Sequence, residues 1–305
     1  MPGRRSTLLL RAVAASAALA LSLAACGGDE APAGGGGSGA AKGDIKVGAF
    51  DFPEGRLLAN IYAEGLKKAG YNASVVQLSQ REVVEPALQK GDIDVVPEYT
   101  SSALNYYKAG AATPDDAKNL ATLKELAGAK GVTVYTPAPA TDNYAYAVSK
   151  DFSDQNKVTT VSELAAYSQK TPIGFGGTQE CRDRSYCKLG LEKTYGMKIG
   201  NYKVIVLSSQ PAVDGLLKNE YQAAVFNSSD GVLSVNPVVV LKDDKGLNPN
   251  DYIVPAVNSK KATPELEQAL GALSAKLTQE ELLRMNKETQ IDRKPVDKVA
   301  QDFVG

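Results

Sequence analysis

The sequence predicts a two-lobed α/β protein, because strand-like and helix-like segments alternate, the alternation restarts halfway along the chain, and a helical tail follows. The first series runs from residue 44 to Pro97 as strand, helix, strand, helix, strand, which favours a parallel sheet with crossover helices. The second series begins at Tyr144. The part of the chain after residue 44 is long enough for two domains of roughly 100–200 residues each.

The elements of the first series each have a local signal. Apolar residues at helical spacing indicate the first helix, Gly70 is typical of its end, and Ser79 with Glu82 forms a predicted capping box. The predicted elements are strand 45–50, helix 54–69, strand 75–78, a helix from 79–82 to 91, and strand 92–97, whose pairing Pro97 is expected to end.

The second series repeats the alternation of strands and helices and is followed by the helical tail. Predicted strands are 144–149, 172–176, 203–207, 222–226, 238–241 and 253–257, with a helix at 211–219. Thr160 with Glu163, Thr263 before Pro264, and Thr278 with Glu281 mark helix starts. We therefore predict one lobe from residues 44–139 plus 242–305 and another from 140–241. The chain crosses between them twice, and a ligand cleft lies between the lobes.

The N-terminus predicts export and a lipid anchor. Arg4, Arg5 and Arg11 precede a short apolar stretch, so residues 1–25 read as a signal peptide. Leu23 to Cys26 resembles a bacterial lipobox, in which Cys26 becomes the lipidated first residue of the mature protein. The alternative is an ordinary secretory signal with an incidental cysteine. The expected location is extracytoplasmic, anchored to the cell membrane.

The segment 26–43 predicts a flexible tether. It is rich in glycine and has no apolar periodicity, so it has little to bury on folding. At roughly 5–6 Å times the square root of its length, such a coil reaches on the order of 20 Å. The sequence after it contains no apolar run of ~18 residues, so no transmembrane helix is expected.

Composition excludes several function classes. The chain contains no histidine, which excludes Ser-His-Asp and Cys-His catalysis and histidine-ligated zinc. The formal net charge of −1, with mixed signs, offers no footprint for nucleic acid. We expect no catalytic residue, no metal site and no cofactor. A histidine-independent extracellular hydrolase, which would use a Ser-Lys or carboxylate pair, stays as an alternative.

Two cysteines follow Cys26, and their spacing favours a disulfide. In an exported protein the close pair Cys181 and Cys187 is more typical of a disulfide than of a metal site or a redox couple. Such a bridge would shape the surface loop 180–188.

Tyrosines at loop–strand junctions are the candidate binding residues. Tyr99, Tyr144 and Tyr252 each stand where a predicted strand meets a loop, and sites are commonly built there on a rigid scaffold. Rings that converge on a cleft can cage a quaternary ammonium group, which has no hydrogen to donate and is attracted by the ring faces. Packing at a lobe surface is the alternative for each of them.

Seven segments after residue 44 form a pattern in their order and spacing: 49–54, 79–88, 91–94, 97–100, 190–196, 229–231 and 241–246. In this pattern the chain resembles the glycine betaine/choline/carnitine family of substrate-binding proteins, which serve osmoprotectant ABC importers. The resemblance covers residues 44–305 and is most specific between Arg81 and Thr100. It implies a type II periplasmic-binding-protein fold that closes around a trimethylammonium group, and an ABC permease as partner.

The resemblance also implies roles for particular residues. Tyr99, Tyr144 and Tyr252 correspond to members of the aromatic cage, and Ser102 corresponds to a residue that reads the polar end of the ligand. Arg184 falls near a family arginine that can pair with a ligand carboxylate, as its planar fork suits. A solvated loop charge is the alternative for Arg184.

Two departures from the family pattern bear on the ligand. Phe50 stands where many members have a lysine, which weakens the case for a carboxylate-bearing ligand and offers another aromatic wall. Asn227 stands where the family has an aromatic residue, so either Phe226 enters the cage or an amide replaces one ring.

The sequence therefore predicts an extracytoplasmic receptor for a quaternary ammonium solute, and not an enzyme. An anchored sensor of the same fold is the alternative that remains beside transport.

Overall fold

The structure is a computed structural model and describes residues 42–184 and 186–305, apart from the side chain of Glu180. The predicted signal peptide, the predicted lipidation at Cys26 and nearly all of the predicted tether lie outside the described residues.

The strands of the described residues follow the predicted alternation. They are β1 Asp44–Ala49, β2 Asn72–Gln77, β3 Val95–Tyr99, β4 Val132–Val134, β5 Tyr144–Ser149, β6 Ile173–Gly177, β7 Ile199–Val204, β8 Ala223–Asn227, β9 Val238–Leu241 and β10 Ile253–Asn258.

Helices connect the strands and form the tail. They are α1 Pro53–Lys68, α2 Arg81–Lys90, α3 Thr100–Tyr107, α4 Asp116–Gly128, α5 Lys150–Asn156, α6 Val161–Lys170, α7 Lys188–Tyr195, α8 Gln210–Leu217, α9 Gly231–Val235, α10 Pro264–Lys276, α11 Gln279–Asn286 and α12 Val296–Val304. A 3₁₀ turn spans Glu180–Asp183, and a π-helical turn spans Lys287–Ile291.

Two five-stranded mixed sheets confirm the predicted two-lobed α/β class. The first sheet has the order β2-β1-β3-β10-β4, and the second has the order β7-β6-β8-β5-β9. In each sheet three strands joined by crossover helices pair in parallel: β1, β2 and β3 in the first sheet, and β6, β7 and β8 in the second. A strand from another part of the chain then pairs antiparallel with this group, β10 with β3 and β5 with β8. We call each sheet with its packed helices the first lobe and the second lobe.

Two segments cross between the sheets and bond to each other. The Asp142 amide donates to the Asp251 carbonyl at 3.0 Å, and the Ile253 amide donates to the Ala140 carbonyl at 3.2 Å. Thr141 and Tyr252 form an antiparallel bridge between these bonds. This is the two-strand hinge that the fold class requires, while the exact lobe boundaries given above stay a prediction.

Capping signals placed several helix starts correctly. Thr160 and Glu163 form a full capping box before α6, and the side chains of Thr263 and Thr278 cap α10 and α11. The predicted box at Ser79 was wrong. There α2 begins at Arg81 with Gln80 as an uncapped N-cap, so the helix starts two residues after the serine.

Strand β3 corrects a second prediction. Pro97 does not end the strand, which continues to Tyr99 and pairs with β10 over its whole length. Pro97 lies directly opposite Pro255. A proline has no backbone N–H to donate. Two opposed prolines therefore fit at a position of the antiparallel ladder where the paired residues exchange no backbone hydrogen bonds.

Strand β7 lies earlier than predicted. The apolar run 203–207 suggested a strand, but β7 spans Ile199–Val204 at the edge of the second sheet. Its partner β6 ends at Gly177, opposite Val204, so the residues beyond have no strand to pair with. Val206 is accordingly 76% exposed.

Each lobe has its own apolar core. In the first lobe α1 buries Leu57, Leu58 and Ile61 against the sheet, and α10 and α12 of the tail pack on the same helix. Nowhere in the described part of the chain is a helix long and apolar enough to cross a membrane.

Candidate functional site

A cleft of about 410 Å³ opens between the lobes beside the crossing segments, and we call it the interlobe cleft. Both lobes and both crossings contribute to it, as expected for this architecture. It is lined by Phe52, Arg81, Tyr99, Ser101, Ser102, Asn105, Asp142, Asn143, Tyr144, Tyr186, Asn227, Asn248, Pro249 and Asp251.

The first lobe contributes a pair of aromatic rings. Tyr99 ends β3 and Phe52 precedes α1, so both stand at the carboxyl ends of neighbouring strands. Their ring centroids lie 6.1 Å apart. Phe50, predicted as a wall of the site, is 2% exposed and packs behind Phe52 with the rings stacked at 5.7 Å. The ring at the cleft is therefore Phe52, supported by Phe50.

The second lobe contributes another pair, Tyr144 and Tyr186. Their rings stack with centroids 5.5 Å apart and planes 16° apart. Tyr144 is the first residue of β5, next to the hinge, as predicted. The two pairs together place four aromatic rings along one cleft, two from each lobe.

A disulfide-closed loop holds Tyr186 in place. Cys181 and Cys187 are joined by a disulfide with Cα atoms 5.2 Å apart. The Tyr186 carbonyl accepts a hydrogen bond from the Tyr146 hydroxyl at 2.8 Å, and that hydroxyl accepts one from the Asn248 amide at 2.9 Å. The loop thus presents Tyr186 to the cleft, whereas Arg184 of the same loop is exposed and does not line it.

Two further predicted residues are not at the cleft. Tyr252 lies on the second crossing, but its hydroxyl donates to Asp116 at 3.2 Å and its ring is not part of the lining. Phe226 is fully buried in the core of the second lobe, whereas Asn227 lines the cleft. Of the two alternatives at this position, the structure therefore shows the amide.

Ser102 lies in the cleft as predicted and is bound to an aspartate. Asp251 accepts hydrogen bonds from the Ser102 hydroxyl at 2.5 Å and from the Ser101 and Ser102 amides at 2.7 and 3.1 Å. These amides open α3, where a carboxylate is favourable. Burial raises the pKa of Asp251 to about 6, against the hydrogen bonds from Ser102 that lower it. The serine donates its proton to Asp251, so toward a ligand its oxygen acts as an acceptor.

Arg81 lines the cleft with its charge already paired. Its Nε and Nη2 donate to the two oxygens of Glu98 at 2.9 and 3.0 Å, in the bidentate geometry that suits guanidinium and carboxylate. The guanidinium also lies 5.2 Å from the centroid of the Phe50 ring. Glu98 is 1% exposed, so the pair is shielded from water.

A second buried carboxyl, Glu85, stands behind this ion pair. Burial, and then the charge of Glu98, raise the pKa of Glu85 to about 8, while the Tyr107 hydroxyl donates to it at 2.5 Å. Because the folded protein binds this proton more tightly than the unfolded chain, Glu85 stabilises the fold most below about pH 4.5. That contribution is lost as the pH rises through 8.

We expect Glu85→Gln to remove this loss. The variant should gain stability relative to the parent as the pH rises from 5 to 9, by roughly 3–4 kcal/mol, because glutamine mimics the protonated acid. Urea unfolding at pH 5, 7 and 9 measures it, with Glu125→Gln, an exposed site on α4, as the matched control. A difference that stays constant with pH would contradict the prediction.

Two acidic side chains lie close to Tyr99: Asp142 lines the cleft, and Glu54, which is not in that lining, lines an adjoining cavity together with Asp142. Glu54, at the start of α1, accepts from the Tyr99 hydroxyl at 2.7 Å and from the Asn286 amide at 2.5 Å. Asp142, on the first crossing, accepts from the Ser229 hydroxyl at 2.6 Å. Burial raises the pKa of both carboxyls, and for Asp142 the charge of Glu54 adds to it.

The described residues 42–184 and 186–305 contain no group of three His, Cys, Asp or Glu side chains placed to hold a metal ion.

The family model of the substrate-binding domain of ABC-type glycine betaine transport systems (OpuAC) matches residues 43–305. The chain belongs to this family. The resemblance to this family, predicted over residues 44–305, is thereby confirmed.

Relatives of the domain agree along nearly its whole length. The glycine betaine-binding protein YehZ of Escherichia coli is 27% identical over 276 residues, covering 87% of this chain and 90% of that protein. The carnitine transport binding protein OpuCC of Listeria monocytogenes is 25% identical, covering 87% of each.

Solved structures agree in fold. A crystal structure of a glycine betaine/carnitine/choline ABC transporter protein matches with a TM-score of 0.77 at 23% identity, covering 86% of this chain and 97% of that one. At this identity the match shows the fold, which is the predicted periplasmic-binding-protein fold.

Sequence reasoning missed most of the residues that line the cleft, among them Phe52, Arg81, Asp142 and Tyr186. Phe52 lies two residues after Phe50, and Asp142 lies two residues before Tyr144. Both would have been candidates if two further residues on each side of the predicted junctions had been considered. Tyr186 lies inside the predicted disulfide loop, where an aromatic side chain next to a bridge was the available signal. Arg81 was read as part of a capping motif and of the family resemblance, and no local pattern assigned it to the site.

Proposed function

We propose that this substrate-binding domain binds a small quaternary ammonium solute in the interlobe cleft and delivers it, chemically unchanged, to an ABC permease in the membrane. The observation that carries the proposal is the set of four rings along one cleft, Phe52 and Tyr99 facing from the first lobe and Tyr144 and Tyr186 from the second.

Aromatic faces suit this ligand class for an electrostatic reason. A quaternary ammonium spreads its charge over methyl groups and donates no hydrogen bond, so ring quadrupoles attract it where ordinary acceptors cannot. Each ring face is worth roughly 0.5–2 kcal/mol, more when water is excluded. Two relatives are named for the binding of glycine betaine and of carnitine, and both of these solutes are quaternary ammonium compounds.

The two-lobed architecture supports a closing motion. Rings that belong to different lobes contact one ligand together only when the lobes approach, so binding favours the closed arrangement by differential contact. The paired crossings at 140–143 and 250–253 are where this rotation is expected to occur. A permease that recognises both lobes at once would then distinguish loaded from empty protein.

Calorimetric titration tests the proposal directly. We expect binding at micromolar or tighter dissociation constants, about −8 kcal/mol or better, for at least one of glycine betaine, choline, carnitine and ergothioneine. Amino acids and sugars of similar size serve as the comparison panel. Binding of a member of that panel, with none of the quaternary ammonium compounds binding below about millimolar, would refute the proposed function.

The disulfide loop offers a matched pair of variants. We expect Tyr186→Ala to weaken binding of the preferred ligand by about 5- to 10-fold, because one ring face is lost, and Arg184→Ala to leave it unchanged. Both side chains belong to the same loop, so the pair separates cleft contact from loop integrity. The same titration measures both, and a larger effect of Arg184→Ala would restore the guanidinium as a ligand contact.

We propose further that Cys26 is lipidated and that residues 26–43 tether the domain to the cell membrane. Confinement to the surface that holds the permease raises the effective concentration of the domain there. Detergent-phase partitioning of the expressed precursor tests the anchor, since an unmodified chain would stay in the aqueous phase.

A further inference from the structure

We propose that Asp142 supplies the counter-charge to the ligand and makes the interlobe cleft prefer a quaternary ammonium with net positive charge over a zwitterion. The inference rests on the proposed function and narrows it. It predicts choline, which carries no carboxylate, as a better ligand than glycine betaine.

Asp142 is placed where it can act on a bound cation. It belongs to the first crossing segment, lines the interlobe cleft, and also lines an adjoining cavity of about 670 Å³ that shares Phe52 and Asn227 with the cleft. Its carboxylate is close enough to the Tyr99 ring for its charge to raise the pKa of the Tyr99 hydroxyl, after burial and the charge of Glu54. A cation held against Tyr99 therefore lies in the field of Asp142.

The other charged side chains at the cleft already have partners. Among the described residues that line it, Arg81, Asp142 and Asp251 carry charge. The guanidinium of Arg81 is neutralised by Glu98, and Asp251 accepts two amides and a hydroxyl at the start of α3. Asp142 accepts the Ser229 hydroxyl and has no cationic side chain beside it in this lining. Arg56 lines the adjoining cavity, and it is paired with Asp51 at 2.6 Å.

The groups that face Asp142 add to its need for a cation. They are Glu54 from α1, Asp230 from the N-cap of α9, Asp251 from the second crossing, and the Tyr99 hydroxyl from β3. All of the ionisable groups in this set are acidic. The negative charges of these groups repel one another, and an ammonium group that enters the cleft relieves this repulsion. Partial burial strengthens the attraction between the ammonium group and Asp142.

A zwitterion gains less from the same field. In glycine betaine a single methylene separates the ammonium nitrogen from the carboxylate carbon, so both charges fall within the same small cleft. The ligand carboxylate then meets Asp142 or Asp251, while Arg81 is engaged by Glu98. Choline has a hydroxyl in that place, which can donate to a carboxylate and brings no negative charge.

The first test uses the wild-type domain and three ligands of similar shape. 3,3-Dimethylbutan-1-ol replaces the nitrogen of choline by carbon and is uncharged. At pH 7.5 we expect choline to bind at least about tenfold more tightly than glycine betaine and than the neutral alcohol. Glycine betaine binding as tightly as choline, or more tightly, would overturn the inference.

The second test removes the charge and keeps the shape. Asp142→Asn should weaken choline binding by about tenfold or more, and should leave the affinity for 3,3-dimethylbutan-1-ol within about threefold. Asp154→Asn, on an exposed side chain of α5, removes one negative charge far from the cleft and should change neither. Equal weakening of all three ligands by Asp142→Asn would mean a structural role only, and would also overturn the inference.

The third test follows the proton. Burial and the neighbouring acids raise the pKa of Asp142, so the empty domain binds a proton there more readily than an exposed carboxylate does, and a bound cation opposes that proton. Affinity for choline should therefore rise with pH through that pKa, and calorimetry in buffers of different ionisation enthalpy should show proton release. The neutral alcohol should show neither, and a pH-independent choline affinity without proton release would count against Asp142.

These tests separate two kinds of failure. If none of the quaternary ammonium compounds binds, the proposed function itself fails. If glycine betaine or carnitine binds well while choline does not, the function holds and the counter-charge assignment alone is wrong.

Discussion

Tyr99→Ala is expected to weaken binding of the preferred quaternary ammonium ligand by about 10- to 100-fold. The side chain of Tyr99 stands at the carboxyl end of a central strand and is 4% exposed, so it is held rigidly in the lining of the cleft. Its removal takes away one cation-facing surface, admits water, and removes support from Phe52, whose centroid is 6.1 Å away. Calorimetric titration of wild type and variant measures the effect.

Tyr99→Phe is the matched control for the ring. The hydroxyl of Tyr99 donates a hydrogen bond to Glu54 at 2.7 Å. The contact with the cation is assigned to the ring face and not to this hydroxyl. Phenylalanine keeps that face, so most of the affinity should remain. If the two variants lose affinity equally, the hydroxyl and its bond to Glu54, and not the aromatic face, account for the contribution of Tyr99.

Gly231→Ala is expected to lower the stability of the domain by about 1–3 kcal/mol and its Tm by about 4–10 °C. A Cβ at this position would lie 2.8 Å from the backbone N and Cα of Lys287 and 3.0 Å from the carbonyl carbon of Asn286. Backbone atoms of a packed helix cannot move aside cheaply, so α9 must shift away from the end of α11. Thermal unfolding followed by circular dichroism measures the loss.

Gly271→Ala provides the control for Gly231. Position 271 is inside α10, and a Cβ there would meet no atom within 4 Å. Alanine in a helix interior is favoured over glycine by about 0.5–1 kcal/mol, so this variant should be slightly more stable than the parent. Equal Tm values for the two variants would show that the contact between α9 and α11 is looser than the structure indicates.

The contact at Gly231 lies next to a hydrogen-bonded link between the lobes. Asn286 donates both to Glu54 of the first lobe and to the Ser229 carbonyl next to α9 of the second, the latter at 2.9 Å. The end of α11 thus joins the lobes beside the adjoining cavity, which Glu54, Ser229 and Asp142 line. No pattern in the sequence pointed to this connection, because its members are more than 50 residues apart.

Local signals predicted those parts of the fold that local energetics decide. The capping box at Thr160 and Glu163 places the start of α6, and strands β5 and β9 match their predicted bounds. Such signals act within a few residues, where caps and side-chain alternation determine the backbone. Strand β3 was cut short at Pro97 because the rule for proline assumes an ordinary partner, and the partner here is another proline, Pro255.

Some residues of the site were predicted correctly because they lie at or just after the end of a predicted strand. Tyr99, Tyr144 and Ser102 lie at junctions that the alternation of elements already locates, and all three line the cleft. That Phe52, and not the predicted Phe50, faces the cleft needed the structure, since the chain bends after Ala49 and the two-residue periodicity of the strand stops there. Phe226 and Asn227 were left open as alternatives, and they are successive residues of β8, so they face opposite sides of the sheet and only Asn227 lines the cleft.

By itself the sequence determined the class of the protein, the two-series α/β organisation and the family, because these depend on periodicity, caps and motif order along the chain. Tertiary structure alone decided which rings face the cleft, that Arg81 is neutralised by Glu98, and that Asp142 stands among other acids without a basic partner in the lining. The reason is physical. Orientation, burial and charge pairing depend on neighbours brought together by folding, and local sequence carries no record of them.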